Sequence, residues 1–98
     1  MSRRAARQDD NHNEIRTAFR SFGAVVIDTF QLPNTFDMLV GFRGVLYAVE
    51  VKDGNKPPSR RKLTEGEEKC KRLLASAGVS YNVVETVSDA AELLGIKM

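Results

Sequence analysis

The reading turns on residues 36–52: Phe36-Asp37-Met38-Leu39-Val40-Gly41-Phe42-Arg43-Gly44-Val45-Leu46-Tyr47-Ala48-Val49-Glu50-Val51-Lys52. Two apolar, β-branched runs flank Arg43-Gly44, which predicts two strands joined by a two-residue hairpin loop, though Arg-Gly is a weaker turn signal than Asn-Gly. With that loop Phe42 faces Val45, every facing pair sums to 87, and Asp37 lies across from Glu50. Facing side chains have Cβ atoms roughly 4.5–5.5 Å apart, and like charges placed there are destabilising. A divalent cation with oxygen ligands answers that repulsion; Mg²⁺ takes one or two carboxylates, several waters and a substrate phosphate. Alternation puts Lys52 on the face of Glu50, and Val45, Tyr47, Val49 and Val51 on the opposite, core-facing row. A bulge at Gly44 would shift the register by one. The same residues also read as a surface ion pair, Glu50 with Lys52, on a half-exposed strand, with Asp37 capping the turn after Pro33. Against this, Ala48–Lys52 otherwise looks buried, and ionised groups are rarely buried unless paired or metal-bound.

Outward from the hairpin, Ile15, Ala18, Phe19 and Phe22 recur at i, i+3, i+4 and i+7, the stripe of an amphipathic helix from about Asp10 to Phe22 closed by Gly23. Ala24 to Phe30 reads as a strand and Gln31 to Thr35, with Pro33 and Asn34, as a turn. Leu63, Cys70, Leu73, Leu74 and Ala77 mark a second helix ending at Gly78. Tyr81 to Glu85 reads as a short strand, and Ser88 to Leu94 as a last helix. The expected fold is α/β, a mixed β-sheet flanked by helices in the order α-β-β-β-α-β-α.

Ninety-eight residues suffice for one core, burying about 60–65% of the unfolded surface. No apolar run approaches the ~20 residues of a membrane span, and the polar start lacks a signal peptide's apolar stretch. The single Cys70 fits a reducing compartment and excludes a disulfide framework or a cysteine zinc site. A cytoplasmic protein without a membrane partner is expected. The net charge of +2 hides a segregation: residues 1–20 carry +2, 21–51 −2, 52–72 +4 and 73–98 −2. Residues 1–9, with Arg3, Arg4 and Arg7, read as a flexible basic arm ahead of a single domain over 10–98. Gly54 to Lys62, with Lys56, Arg60, Arg61 and Lys62, reads as a basic loop, because Pro57-Pro58 excludes a helix or inner strand.

Asp37, followed thirteen positions later by Glu50-Val51-Lys52 at a strand end, resembles the Asp…Glu-X-Lys signature of the PD-(D/E)XK nuclease superfamily, whose fold is restriction-endonuclease-like. More narrowly, Glu50-Val51-Lys52, a basic loop, then Leu63-Thr64 opening a helix that runs to Ala77-Gly78 resemble the stand-alone VRR-NUC nucleases of phages and bacteria. The resemblance spans Glu14 to about Val84. It implies that Asp37 and Glu50 bind Mg²⁺ or Mn²⁺, that the Val51 carbonyl completes the site, and that Lys52 positions or activates the attacking water. It also implies an outer ligand on the first helix, matched by Glu14, which reads equally well as a favourable acid in a first helical turn. The family's Gln a few residues into the second helix is Glu67 here, and Phe36 precedes Asp37, with the nearest proline at Pro33. Glu67 falls on the apolar stripe of its helix, where an extra carboxylate would alter the site, yet Thr64-Glu65-Gly66-Glu67 is also a capping box; the two roles are compatible. Lys71, one turn on, pairs with Glu67 or faces phosphate.

Among the remaining residues, His12 is the only histidine, so no Ser-His-Asp, Cys-His or His-based zinc arrangement is available. It reads as a solvated helix-start residue, Cys70 as a small buried hydrophobe, and Tyr47 as core. The expected activity is a metal-dependent, structure-specific DNA endonuclease, with residues 3–7 and 56–62 gripping the backbone of branched or duplex DNA. One site per chain and two strands to cut imply a homodimer, and the family's likeness to Holliday junction resolvases makes a four-way junction the leading substrate, in a bacterial or phage-infected cell. The alternative is a non-catalytic nucleic-acid-binding or interaction module that retains the nuclease fold.

Overall fold

The Arg43-Gly44 loop adopts positive φ at both central positions, 50° and 83°, in a computed structural model that describes residues 9–97. This is the type I′ geometry whose twist matches paired strands, and glycine takes the second position without strain. It joins the second and third strands of the sheet in register. Strand β1 is Val25–Asp28, β2 is Met38–Phe42 and β3 is Val45–Val51. The β2–β3 ladder runs from Phe42↔Val45 to Met38↔Val49, so every pair sums to 87 and no bulge intervenes.

Strand β1 adds antiparallel to β2, and β4 (Tyr81–Val84) adds parallel to β3, giving the order β1-β2-β3-β4. A parallel neighbour requires a crossover, and helix α2 (Glu65–Ser76) supplies it. Helices α1 (His12–Ser21) and α3 (Val87–Leu94) cover one face. Their Ile15, Phe19, Ala90 and Leu94 meet Val26, Met38, Val40, Val49, Val51 and Val84 of the sheet in one core. At about 1.5–3 kcal/mol for each large apolar side chain removed from water, this layer supplies most of the fold's driving force. The mixed sheet, its flanking helices and their order match the expectation from sequence.

The ends of elements differ for local reasons. Helix α1 starts at His12 rather than Asp10 because Asp9–Asn11 form a turn, with the His12 N–H donating to Asp9 O at 3.0 Å. Strand β1 stops at Asp28 rather than Phe30 because the Thr29 N–H turns to Asp37 O at 2.8 Å and closes a loop. A 3₁₀ turn, Pro58–Arg60, lies in the basic loop; proline excludes a helix interior but suits a first turn.

Three burial expectations are corrected. Val45 is exposed although Val49 and Val51 on the same row are buried, because the hairpin tip projects beyond the helices. Helix α2 has no fully buried residue, leaving Cys70 half-buried and Leu73 exposed; it packs mainly along the edge strand β4. His12 is 1% exposed rather than solvated. Its ring lies edge-on to Phe30, with centroids 5.3 Å apart, and its Nε2 is 3.4 Å from Asp28 Oδ1.

Candidate active site

Where β2 begins and β3 ends, the ladder gives way to side-chain bonding. Asp37 sits one residue before the last ladder pair, its N–H donating to Val49 O at 2.9 Å. Its carboxylate Oδ2 accepts from the Val51 N–H at 2.7 Å, taking the place of a strand carbonyl. The hairpin register thereby brings Asp37, Glu50 and Val51 together at the floor of a cleft of about 850 Å³. Lys52, Lys56, Arg60 and Glu67 line the same cleft.

Glu50 is only 4% exposed and Lys52 only 8%; these are not members of a solvated surface pair. The Lys52 ammonium lies 3.4 Å from Glu50 Oε2 and 3.1 Å from Glu67 Oε1. Burial, then the Asp37 charge, then Glu67 push the Glu50 carboxyl up to about 9. Burial also holds the Asp37 carboxyl above the usual range, against the lowering effect of the Val51 N–H. Burial works against the Lys52 charge, but Glu67 and Glu50 outweigh it and hold the ammonium more firmly protonated than usual. For Glu67 burial is likewise outweighed, here by the Thr64 N–H and the Lys52 ammonium, and its carboxyl is lowered. Two carboxyls that resist joint ionisation therefore lie beside a carboxylate and an ammonium that are both firmly charged.

Glu67 is a helix cap and also an ion-pair partner of Lys52. Thr64 Oγ1 accepts from the Glu67 N–H at 3.1 Å and Glu67 Oε1 accepts from the Thr64 N–H at 2.9 Å, a complete capping box. The same Oε1 holds Lys52. Capping fixes the helix end, and the fixed helix end presents a carboxylate to the lysine.

The other expected residues are distributed unevenly. Glu14 is exposed on α1 and does not line the cleft; the α1 stripe that faces inward runs through His12, Ile15 and Phe19, and Glu14 lies off it. Asp9 and Asp10, before α1, are carboxylates from this end of the chain that do line the cleft, and burial raises Asp9. Lys71 is exposed and makes no ion pair with Glu67 among the described residues. Lys56 is 3.5 Å from Asp10, Arg61 pairs with Glu85 at 3.2 Å, and the Arg60 and Lys62 side chains make no ion pair among the described residues. Arg3, Arg4 and Arg7 lie outside the described residues.

Two supporting residues were not singled out in the sequence. The Asn11 amide donates to Lys52 O at 3.2 Å and Glu85 O at 2.9 Å, tying the start of α1 to the ends of β3 and β4. The Tyr81 hydroxyl donates to Thr35 O at 2.7 Å and lies 3.4 Å from Glu50 Oε1. Neither has a local signal, because each acts across more than thirty residues of sequence. His12 did have one, standing at i−3 from Ile15 on the inner stripe. No group of three or more His, Cys, Asp or Glu side chains forms a metal cage among the described residues.

No family model matches this chain, and no curated protein matches it. Among solved structures it is similar to a protein described as "VRR_NUC domain", with a TM-score of 0.61 and 22% sequence identity over 85% of this chain and 92% of that one. The chain therefore has the fold of that VRR_NUC domain.

Proposed function

We propose that this protein is a metal-dependent, structure-specific DNA endonuclease of the PD-(D/E)XK kind, working as a homodimer with a four-way junction as its leading substrate. The observation that carries the reading is the buried pair Glu50 and Lys52 with half-buried Asp37, lining one cleft together with cationic side chains. Two neighbouring carboxylates that cannot both ionise unaided are chemically suited to Mg²⁺ or Mn²⁺, with positions left for water and phosphate. Asp37 and Glu50 would hold the ion, with the Val51 carbonyl as a further oxygen donor. When bound, such an ion supplies Lewis-acid stabilisation of phosphoryl charge and a lowered pKa for the attacking water.

Lys52 supplies a fixed positive charge at the reacting phosphate. Its ammonium, held by Glu67 Oε1, orients the nucleophile and offsets charge developing on the phosphoryl oxygens. Lys56, Arg60 and Lys62 bind the flanking phosphates, contacts that place a strand without reading its sequence. The homodimer is supported by the open sheet face, where Val25, Ile27 and Leu46 are exposed, and by exposed Leu73 on α2; covering such a surface is a common reason for association.

The deciding experiment compares wild type with Glu50→Ala on supercoiled, single-stranded, flap and four-way DNA in Mg²⁺, Mn²⁺ or EDTA. Cleavage by wild type alone, abolished by EDTA, is the expected result. Equal cleavage by both proteins removes Glu50 from the chemistry. DNA binding without any cleavage leaves a binding module that retains the fold. Light scattering at micromolar concentration tests the homodimer, and a monomer there rules it out.

A further inference from the structure

The loop between β1 and β2 is built to hold its shape. The Thr29 N–H donates to Asp37 O at 2.8 Å, the Leu32 N–H to Thr29 O at 2.9 Å, and Thr35 Oγ1 to Leu32 O at 3.0 Å. Thr29 Oγ1 donates to Phe36 O and the Tyr81 hydroxyl to Thr35 O, both at 2.7 Å. At its far end Asn34, with φ 59°, packs its side chain where a Cβ on Gly66 would stand, so the loop also rests against the first turn of α2. On this frame Leu32 is 58% exposed, beside Pro33, and both line the cleft that holds Asp37 and Glu50.

A lone exposed leucine is ordinary; its setting here is not. Residues 29–36 contain no charged side chain, so the part of the cleft lining to which Phe30, Leu32, Pro33 and Phe36 belong is uncharged, while Lys56 and Arg60 also line the cleft. Cations in the lining attract the phosphates of a DNA strand, which leaves the uncharged leucine to meet its bases. Apolar side chains that enter base steps partly unstack them, and a rigid loop loses little conformational freedom on doing so. Leucine offers no hydrogen bond, so its insertion responds to how readily a step opens and not to which bases form it.

We propose that Leu32, backed by Pro33, is a wedge that enters a base step beside the scissile phosphate and makes the enzyme selective for DNA whose stacking is already interrupted. This rests on the nuclease reading above and supplies a physical source for structure specificity. Leu32 touches the bases and leaves the reacting atoms to Asp37, Glu50 and Lys52.

The test uses the full chain as wild type, Leu32→Ser and Leu32→Met, with one sequence presented as an intact duplex and as the same duplex carrying an unpaired gap at the cleavage site. In Leu32→Ser the ratio of kcat/KM on intact to gapped DNA rises about tenfold, because gapped DNA loses the apolar contact with its open step while intact DNA no longer has to be unstacked, a difference of about 1.4 kcal/mol; Leu32→Met keeps the wild-type ratio. A parallel set on the Glu50→Gln background places 2-aminopurine at the step, with complex formation followed by anisotropy. Bound DNA brightens with Leu32 or Met and stays dark with Ser. An unchanged ratio, or equal brightening with Ser, overturns the wedge and leaves the nuclease intact. If wild type cuts nothing, the nuclease reading falls, and the fluorescence of bound DNA still decides the wedge. Failure to bind DNA at all overturns both.

Discussion

Replacing Glu50 by Gln should stabilise the metal-free protein while destroying its activity. The Glu50 carboxyl rises from 4.5 to about 9 in the fold. Between those values the folded chain keeps a proton that the unfolded chain has lost, so metal-free stability falls as pH rises across that window. At pH 7 the cost is about 3 kcal/mol, from roughly 2.5 pH units at about 1.4 kcal/mol each. Gln has the shape of the protonated acid and no proton to take up. Lys52 keeps Glu67 at 3.1 Å, while the weakened Lys52–Glu50 contact and the easier ionisation of Asp37 reduce the gain to about 1–2 kcal/mol. In a domain of this size that raises Tm by roughly 4–16 °C. Thermal melts followed by circular dichroism in EDTA, from pH 5 to pH 9, should show wild type losing stability with pH and the variant holding it, the two curves converging near pH 5. Mg²⁺ at a hundred times its Kd should restore about 2.7 kcal/mol to wild type and little to the variant. A Glu50→Gln protein that melts at or below wild type at pH 8 in EDTA, or by the same margin at pH 5, would refute the premise that Glu50 is held protonated by its neighbours.

Lys52→Met removes the ammonium between Glu50 and Glu67; urea melts should show a loss of about 3 kcal/mol, the scale of breaking a buried pair, and kcat on DNA should fall far more than KM rises. Gly66→Ala pushes a methyl into the Asn34 side chain and should cost about 1–3 kcal/mol by overpacking, although alanine is the better helix former. Asn34→Gly in the same chain should restore most of the loss, and failure to do so would place the clash elsewhere. Arg60→Ala should weaken binding evenly across DNA sequences and reduce the slope of log K against log salt by about 1, leaving the Mg²⁺-dependent rise in Tm unchanged.

The hairpin was legible because it is local. Arg43-Gly44 counts its own register, and the register places Asp37 against Glu50. Glu67 was legible as a cap for the same reason, since Thr64 and Glu67 are three apart. What stayed hidden is long-range. Asn11 contacts Lys52 across 41 residues, and Tyr81 reaches Thr35 across 46; an asparagine before a helix and a tyrosine in a strand announce neither partner. Glu14 misled because a first-helix acid near an apolar stripe has two flanks to choose from. The turn at Asp9–Asn11 set the helix phase, facing His12 inward, leaving Glu14 outside and giving the cleft Asp9. Helix α2 misled in the opposite sense: its apolar spacing reads as core, but it lies along an edge strand with little sheet beneath it.

That shallow seating gives the doubly used Glu67 carboxylate a dynamic consequence. Segments with little buried apolar surface open at free energies below that of global unfolding, and α2, with no fully buried residue, is such a segment. Each time its first turn frays, the oxygen that caps Thr64 also leaves Lys52. Warming should therefore silence the lysine before the β-sheet melts, and the fraction of molecules competent at any instant is set by the local opening equilibrium of one helix end.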